Sequence, residues 1–263
     1  GGRVTFLAEV VAMKDREIAD LKSRSVSMAV TAKGPGVPSF AQALEAPGLS
    51  VIAEIKRRSP SKGDIAKDLD ARLTAGAYAE GGAAAISCLT DATFFGARAS
   101  DFAEARSAGL PVLRKDFILD EAQVEESAVM GASAVLLIVR LLDGARLRAL
   151  ATAARERRLD VLFETHNETE VERALSEGAS IIGVNNRDLD TLAVDPGLAL
   201  RLRRLIPSGV LTVSESGLRS PADLRRAADL GFDAVLIGES LAASADPAGT
   251  LRDLRAALPS GAA

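Results

Sequence analysis

The sequence predicts an α/β protein, a single (β/α)8 TIM barrel with an N-terminal helical extension. Three observations support this. Short runs of almost wholly apolar residues recur along the chain, Ala-, Leu-, Arg- and Glu-rich segments of helical character separate them, and there are eight runs in all. Apolar strands that alternate with helices indicate a parallel sheet covered on both faces, and eight such units predict a closed barrel. The runs are residues 50–56, 84–89, 111–115, 134–138, 160–164, 181–185, 211–214 and 234–237.

The first 49 residues form the predicted extension. Apolar residues recur at helical spacing from about residue 4 to residue 23, which predicts an amphipathic helix. Gly34 and Pro35 interrupt the pattern, and a short helical stretch over residues 40–44 ends at Pro47. We therefore expect a helical extension over residues 1–49 and a catalytic barrel over residues 50–258.

The predicted helices end at glycines that lead into the next strand. Gly82, Gly131, Gly178 and Gly231 each precede an apolar run. Glycine is favoured where a helix ends in the left-handed conformation, so these positions fit helix C-caps. Periodicity alone does not show closure, and a doubly wound open sheet is the alternative architecture.

Composition excludes several classes of protein. The 263 residues carry a net charge of −4, with no basic excess to indicate a nucleic-acid partner. No apolar run approaches the roughly 20 residues that span a bilayer, and residues 1–14 lack the apolar core of a signal peptide. The single cysteine and single histidine provide no zinc cluster. We expect a cytoplasmic protein without a metal, a nucleic acid or a membrane as partner, and a monomer.

Polar residues stand at the ends of five apolar runs. The carboxyl ends of the strands build the active site in a barrel of this type, and burial of an unneeded charge costs several kcal/mol. A structural ion pair at the rim is the alternative for Glu54 and Lys56, which share one face of the first strand. The candidate catalytic residues are Glu54, Lys56, Lys115, Glu164, Asn185 and Glu215.

Small and glycine-containing turns follow the first, seventh and eighth strands. They contain Ser59, the pair Ser216 and Gly217, and the pair Gly238 and Glu239. Loops after the last two strands often bind phosphate in this fold, because free backbone N–H groups and a helix dipole favour an anion. Ordinary turns are the alternative, and the position of these turns favours a phosphate site.

Three other residues are less informative. His166 and Phe95 each have a functional and a structural interpretation, and Cys88 has only a structural one. His166 follows Glu164 closely and fits either an acid–base group or a hydrogen-bonded scaffold residue. Phe95 fits loop packing or a wall for an aromatic substrate. Cys88 lies inside an apolar run and is expected in the core.

Several segments resemble the indole-3-glycerol phosphate synthase family. The similarity extends from the leading helix to about Leu254, and EIKRRSPSKG and VLRKDF are the most specific motifs. The segments are IAEIKRRSPSKG (52–63), AISCLTDATFFG (85–96), PVLRKDFILD (111–120), LFETHNETEVERAL (162–175), IIGVNNRDLDTLAVD (181–195), VSESGL (213–218) and VLIGESL (235–241).

The resemblance implies an activity and a role for each candidate. The family closes and decarboxylates 1-(2-carboxyphenylamino)-1-deoxyribulose 5-phosphate without a cofactor. Lys115 would be the general acid, Glu164 would handle the proton in the dehydration, and Lys56 would contact the substrate carboxylate. Glu54 would orient the lysines. The residues that match family positions for the sugar hydroxyls and the developing positive charge are Asn185, Arg187, Glu215 and Ser216. Those that match the phosphate site are Ser59, Gly217, Gly238 and Glu239. Phe95 matches a position that lines the pocket for the anthranilate ring.

Two other functions are compatible with parts of the pattern. A phosphoribosyl isomerase barrel would share the phosphate turns, but such isomerases usually use an Asp or Cys pair where this chain has Lys and Glu. A non-catalytic barrel scaffold would retain the apolar strands and would have no use for six polar groups at one mouth.

Overall fold

Eight parallel strands close into a barrel in the computed structural model, which describes residues 5–24, 36–195, 197–256 and 258. Each strand pairs with the next, and the first pairs with the last through Ser50 opposite Ala234. This closure confirms the barrel and excludes the open sheet. The strands are β1 Ser50–Ile55, β2 Ala85–Leu89, β3 Val112–Lys115, β4 Ala134–Ile138, β5 Asp160–Thr165, β6 Ile181–Asn185, β7 Leu211–Glu215 and β8 Ala234–Ile237.

Helices surround the barrel and precede it. The predicted leading helix is present, although its predicted first residue, Val4, and the predicted turn at Gly34 and Pro35 lie outside the described residues. The helices are α1 Phe6–Ser23, α2 Phe40–Leu44, α3 Ala71–Glu80, α4 Ala92–Phe95, α5 Asp101–Arg106, α6 Glu121–Val129, α7 Gly144–Glu156, α8 Glu168–Ser176, α9 Leu198–Arg203, α10 Pro221–Asp229, α11 Glu239–Ala242 and α12 Pro247–Ala256, with a 3-10 turn at Val139–Leu141. None of the described helices combines the length and apolar character needed to cross a bilayer.

The glycines predicted to end helices adopt the left-handed conformation. Gly131 and Gly231, which precede β4 and β8, have φ angles of 76° and 77°. A side chain at Gly131 would also place its Cβ 2.6 Å from the guanidinium carbon of Arg106. Glycine is therefore favoured at this helix end by its conformation, since the Arg106 guanidinium is the end of a flexible side chain that can move away.

A small hairpin in the loop after β1 was not predicted. Arg58–Ser59 pairs in antiparallel fashion with Gly63–Asp64. The side chain of Arg57 anchors the loop, because both of its terminal nitrogens bond the buried carboxylate of Asp101. The hairpin holds Ser59 over the carboxyl end of the barrel.

The barrel has apolar residues on both faces of its strands. In β1, Val51, Ala53 and Ile55 pack in the outer layer against the helices. Ile52 belongs instead to the inner cluster that fills the barrel. This alternation is the period of two expected of a strand, and it determines which later residues face the barrel axis.

The extension packs against the barrel through buried polar contacts. Lys14 of α1 is 1% exposed. Its Nζ lies 2.7 Å from Asp91 Oδ2 and 2.8 Å from Asp116 Oδ1. Burial opposes a charge on this lysine, but Asp116 and Asp91 raise its pKa above the ordinary value. An ammonium from α1 is thus inserted between the ends of β2 and β3.

Candidate active site

The alternation of side chains along five strands brings the predicted polar groups into one cavity. Ile52, Leu113, Leu162 and Val213 point into the barrel as members of the inner cluster. The polar residue two positions later on each strand therefore points along the same inner face. The cavity is lined by all six candidate catalytic residues, Glu54, Lys56, Lys115, Glu164, Asn185 and Glu215.

Glu54 is a buried carboxylate that contacts both lysines of the cavity. Its Oε1 lies 3.1 Å from Lys56 Nζ, and its Oε2 lies 3.3 Å from Lys115 Nζ. Ser87 on the neighbouring strand β2 donates to Oε2 at 3.1 Å. Burial by itself raises the pKa of a carboxyl, but Lys115, Lys56 and Ser87 together lower that of Glu54 to about 2. Glu54 is therefore ionised at neutral pH and positions both cations.

Lys115 is surrounded by carboxyl groups. Burial disfavours its ammonium, whereas the charges of Glu54 and Glu164 raise its pKa above the ordinary value of 10.5. The lysine consequently carries its proton throughout the neutral range. It provides the cavity with a positioned proton donor.

Asn185 connects Glu164 to the loop after β7. Its Nδ2 donates to Glu164 Oε1 at 3.0 Å. Its Oδ1 accepts from Ser216 Oγ at 2.7 Å and from the backbone N–H of Arg187 at 3.0 Å. Burial would raise the pKa of Glu164, but His166, Lys115 and Asn185 lower it to about 2. Glu164 is therefore an ionised carboxylate in a fixed orientation.

Glu215 differs from Glu54 and Glu164. It is 1% exposed, and neither of its carboxyl oxygens has a hydrogen-bond partner among the described residues. Burial and the nearby charge of Glu164 raise its pKa well above 4.5. Gly183 makes room for this carboxyl, because a Cβ at that position would lie 2.1 Å from Glu215 Oε1. Glu215 therefore holds a proton more strongly than its ionised neighbour Glu164.

The turns that were assigned to phosphate from the sequence lie at the same cavity. Ser59, Ser216, Gly217, Gly238 and Glu239 all line it. Ser216 and Gly217 have φ angles of 66° and 78°, so two successive residues are left-handed. Gly238 precedes α11, whose first backbone N–H groups have no acceptor within the helix. These backbone donors suit an anion.

The side chain of Glu239 gathers cations beside these turns. Its Oε1 lies 2.5 Å from Lys62 Nζ. Its Oε2 lies 3.6 Å from a terminal nitrogen of Arg219 and 3.8 Å from one of Arg187. Three cations facing one carboxylate leave this end of the cavity with an excess of positive charge.

Phenylalanines form an apolar wall of the cavity. Phe95 packs against Phe117 with ring centroids 6.1 Å apart, and both line the cavity. Phe6 of α1 lines it as well and meets Phe94 edge to face at 5.1 Å. Phe94 packs against Phe6 and Phe95 faces the cavity, and the role of Phe95 as a wall for an aromatic substrate stays a prediction.

Comparison with known proteins identifies the family. The sequence pattern described as indole-3-glycerol phosphate synthase matches residues 7–254. The indole-3-glycerol phosphate synthase of Opitutus terrae is 46% identical to this chain, and the aligned region covers 95% of this chain and 98% of the relative. The chain belongs to the indole-3-glycerol phosphate synthase family. A Streptomyces coelicolor relative named indole-3-glycerol phosphate synthase 2 is 44% identical over 95% of this chain and 96% of its own.

Solved structures of lower identity share only the barrel with this member of the indole-3-glycerol phosphate synthase family. The 3-hexulose-6-phosphate synthase of Salmonella typhimurium superposes with a TM-score of 0.64 at 17% identity, covering 80% of this chain and 98% of that one. A thiamine phosphate pyrophosphorylase from Pyrococcus furiosus gives 0.59 at 15% identity, covering 80% and 95%. At these identities the similarity concerns the fold.

Three polar side chains in or beside the cavity of this family member were not singled out from the sequence. Ser87 is the hydrogen-bond donor to Glu54, and its position as the hydroxyl within the apolar run AISCL was the available signal. Arg219 contributes a cation and directly follows the SGL turn. Asn186 holds that turn through bonds from Nδ2 to the backbone oxygens of Glu215 and Ser216. Nothing in the sequence distinguishes Asn186 from Asn185 in advance.

Proposed function

We propose that the chain performs the indole-3-glycerol phosphate synthase reaction on 1-(2-carboxyphenylamino)-1-deoxyribulose 5-phosphate. The observation that carries the proposal is the presence in one cavity of a protonated amine, Lys115, and an ionised carboxylate, Glu164. Ring closure followed by dehydration needs both a proton donor and a proton acceptor. The family membership, the aromatic wall and the cationic turns agree with a substrate that has an aromatic ring and a phosphate.

Lys115 acts first in the proposed mechanism. Its ammonium gives a proton to the ketone oxygen while the ring carbon that bears the carboxylate attacks the ketone carbon. The new carbon–carbon bond interrupts the aromatic system, and loss of carbon dioxide returns the electron pair to the ring. The aniline nitrogen supplies the electrons for the attack, so the step requires no electron-accepting cofactor.

Glu164 acts in the second stage. The hydroxyl formed from the ketone leaves as water after it receives a proton, and a proton is removed from the ring system to complete the indole. An ionised carboxylate accepts this proton, and Glu164 is ionised. Glu215 is protonated and can donate a hydrogen bond to a sugar oxygen, while Asn185 and Ser216 keep Glu164 oriented.

The ends of the substrate are placed by the other cavity residues. Lys56 remains beside Glu54 and pairs with the substrate carboxylate until that group leaves. Ser59 and the backbone N–H groups of Gly217, Gly238 and Glu239 hold the phosphate, and Arg187 contributes positive charge nearby. Phe95 borders the anthranilate ring.

The direct test uses the full chain and the anilino sugar phosphate. We expect indole fluorescence to appear in the presence of a strong chelator and without added nucleotide, flavin or pyridoxal. The physical reason is that Lys115 and Lys56 already provide positive charge at the reacting end, and both would repel a cation at contact distance. Initial rates before and after dialysis, with elemental analysis of the dialysed protein, give the measurement.

An aminoaldose serves as the control substrate for isomerase activity. Isomerisation of this compound without formation of the indole would contradict the proposed function. Activity that is lost on chelation and restored by one divalent ion would contradict the roles of Lys115 and Lys56.

A substrate without its phosphate should react more slowly. Loss of two charge-assisted hydrogen bonds costs about 3 kcal/mol or more, so we expect kcat/KM to fall about a hundredfold or more. The binding energy of the remote phosphate also positions the reacting end. Inorganic phosphate should compete with the intact substrate. Equal kcat/KM for the two compounds would show that the turns at Ser59, Gly217 and Gly238 do not bind the phosphate.

The expected setting of the enzyme follows from the same features. We propose that its partner is a small phosphorylated molecule and that the chain functions as a monomer. The fully buried thiol of Cys88 is compatible with the reducing cytoplasm. Size-exclusion chromatography with light scattering tests the oligomeric state.

A further inference from the structure

His166 lies between two carboxylates just outside the cavity. Its Nε2 is 3.3 Å from Glu164 Oε1, and its Nδ1 is 3.0 Å from Glu170 Oε2. The residue His166 is 6% exposed, and its imidazole is not among the side chains that line the cavity. It therefore touches the base proposed for the reaction without reaching the substrate.

Glu170 is held from several directions. It accepts from the backbone N–H of His166 at 2.7 Å and from Asn167 Nδ2 at 2.8 Å. Arg140 Nε donates to it at 3.1 Å, and the same arginine bonds Asp188 at 3.0 Å. Burial raises the pKa of Glu170, but the side chain of His166, then Arg140 and the backbone N–H of His166, lower it. The imidazole thus faces fixed negative charge at both ring nitrogens.

A neutral imidazole does not suit this environment. It has one N–H and one lone pair, so one of its nitrogens would present a lone pair to a carboxylate. The imidazolium has an N–H at each nitrogen, so Nδ1 can donate to Glu170 while Nε2 lies at ion-pair distance from Glu164 without a hydrogen bond. Glu164 and Glu170 raise the pKa of His166 to about 9 although burial lowers it, which agrees with the geometry.

A charged His166 also explains the difference between Glu164 and Glu215. Two neighbouring buried carboxyls cannot both ionise easily, so one of them keeps a proton. His166 contacts Glu164, whereas Glu215 has no partner among the described residues. The cation selects Glu164 as the ionised member of the pair.

We propose that His166 is a positioning residue, an imidazolium that orients Glu164 and holds it ionised while Glu215 stays protonated. This inference rests on the proposed function, in which Glu164 is the base. Asn185 and His166 both approach the same oxygen of Glu164, Oε1, so together they fix the orientation of this carboxylate. The charged groups around the imidazole and its carboxylate partners are Glu164, Glu170, Arg140, Lys115 and Glu215.

The first test reads the imidazole directly and needs no substrate. The chain contains one histidine, so protein labelled with nitrogen-15 histidine gives a single imidazole signal set. We expect both ring nitrogens to be protonated at neutral pH and to titrate with a midpoint near 9. Glu170→Gln should lower that midpoint by one unit or more. Glu177→Gln, a carboxylate at the end of the same helix that pairs with exposed Arg148, is the matched control and should leave it unchanged. A neutral imidazole at pH 7 would overturn the proposal.

The second test measures the kinetic consequence. His166→Gln should lower kcat about tenfold with little change in KM, the size of effect seen when an orienting partner is removed. In the wild type, kcat should fall as pH rises through about 9, because the imidazolium loses its proton, and His166→Gln should lack this alkaline limb. If His166→Gln does not fold, Glu170→Gln carries the test, since its alkaline limb should move to lower pH together with its imidazole midpoint.

The outcomes separate the two proposals. A wild-type chain that makes no indole product contradicts the proposed function, whatever the charge of the imidazole. An active wild type whose kcat and alkaline limb are unchanged in His166→Gln contradicts the positioning role alone.

A raised histidine pKa also affects the free energy of unfolding. The stabilisation that the charged His166 contributes is fully present below pH 6.5 and is lost as pH rises through about 9. The difference in melting temperature between wild type and His166→Gln should shrink over that interval.

Discussion

Lys115→Ala is expected to lower kcat by about 10² to 10⁴, the range that a positioned proton donor contributes. The substitution removes the ammonium that protonates the ketone and that the carboxylates of Glu54 and Glu164 hold in its charged form. The effect should fall on kcat more than on KM, because the proton is transferred in the transition state. Steady-state kinetics from indole fluorescence, with circular dichroism as a check of the fold, gives the measurement.

Two variants control for effects other than proton donation. Lys22→Ala removes a lysine that pairs with a carboxylate, that of Asp120, outside the cavity. This variant should leave kcat unchanged. Lys115→Arg retains a positive charge near Glu54 and the other carboxyls, but a guanidinium does not give up its proton, so it should remain folded and inactive. Less than about tenfold loss in Lys115→Ala, with a normal spectrum, would remove this residue from the acid role.

Glu164→Gln is expected to have a comparable effect, a loss of about 10² to 10⁴ in kcat. The amide keeps the shape of the side chain and the possibility of bonding Asn185, but it does not accept a proton. Because the pKa of the wild-type Glu164 is about 2, the carboxylate is lost only as pH falls toward that value, and kcat should be independent of this group above about pH 4. Rapid-quench analysis should show material that has closed its ring and has not lost water.

Glu80→Gln is the control for loss of a carboxylate, since Glu80 is exposed and pairs with Arg252. Glu215→Gln provides the informative comparison within the cavity. Glu215 is already protonated, so its amide replacement should affect kcat less than that of Glu164. The opposite order would reverse the assignment of the two carboxyls.

Local pattern was enough to predict the barrel strands. A run such as residues 134–138 is apolar throughout, is bounded by helical segments, and is observed as the strand Ala134–Ile138. The observed ends of other strands differ slightly, as in Asp160–Thr165, where pairing with β6 extends the strand to Thr165. The hairpin after β1 was missed because a tertiary contact, Arg57 with Asp101, holds it.

The site was predictable where strand position decides it. Lys115 and Glu164 were identified as polar ends of apolar strands, and strand alternation aims both into the barrel. Their ionisation was not predictable, because it depends on distances between strands that are remote in sequence. The protonated state of Glu215 arises from Glu164 on another strand, and no local feature of VSESGL indicates it.

Lys14 shows the same limit for the extension. In sequence it lies in the charged segment KDRE, which is typical of the solvated face of an amphipathic helix. In the structure it is buried against Asp91 and Asp116. The division of the chain at residue 49 remains a prediction, and this contact crosses it.

Because Lys14 is buried against the barrel, the first helix and the barrel should be exchanged between related proteins only together. A recombination that transferred residues 50–258 to a different N-terminal segment would remove the ammonium from Asp91 and would leave Asp116, which follows Lys115, with Arg114 as its cationic partner among the described residues. It would also take Phe6 from the aromatic wall. Chimaeras of related barrels should therefore tolerate crossovers within the outer helices better than a crossover at the apparent domain boundary. An N-terminal segment taken from another family member must have a lysine at the position of Lys14.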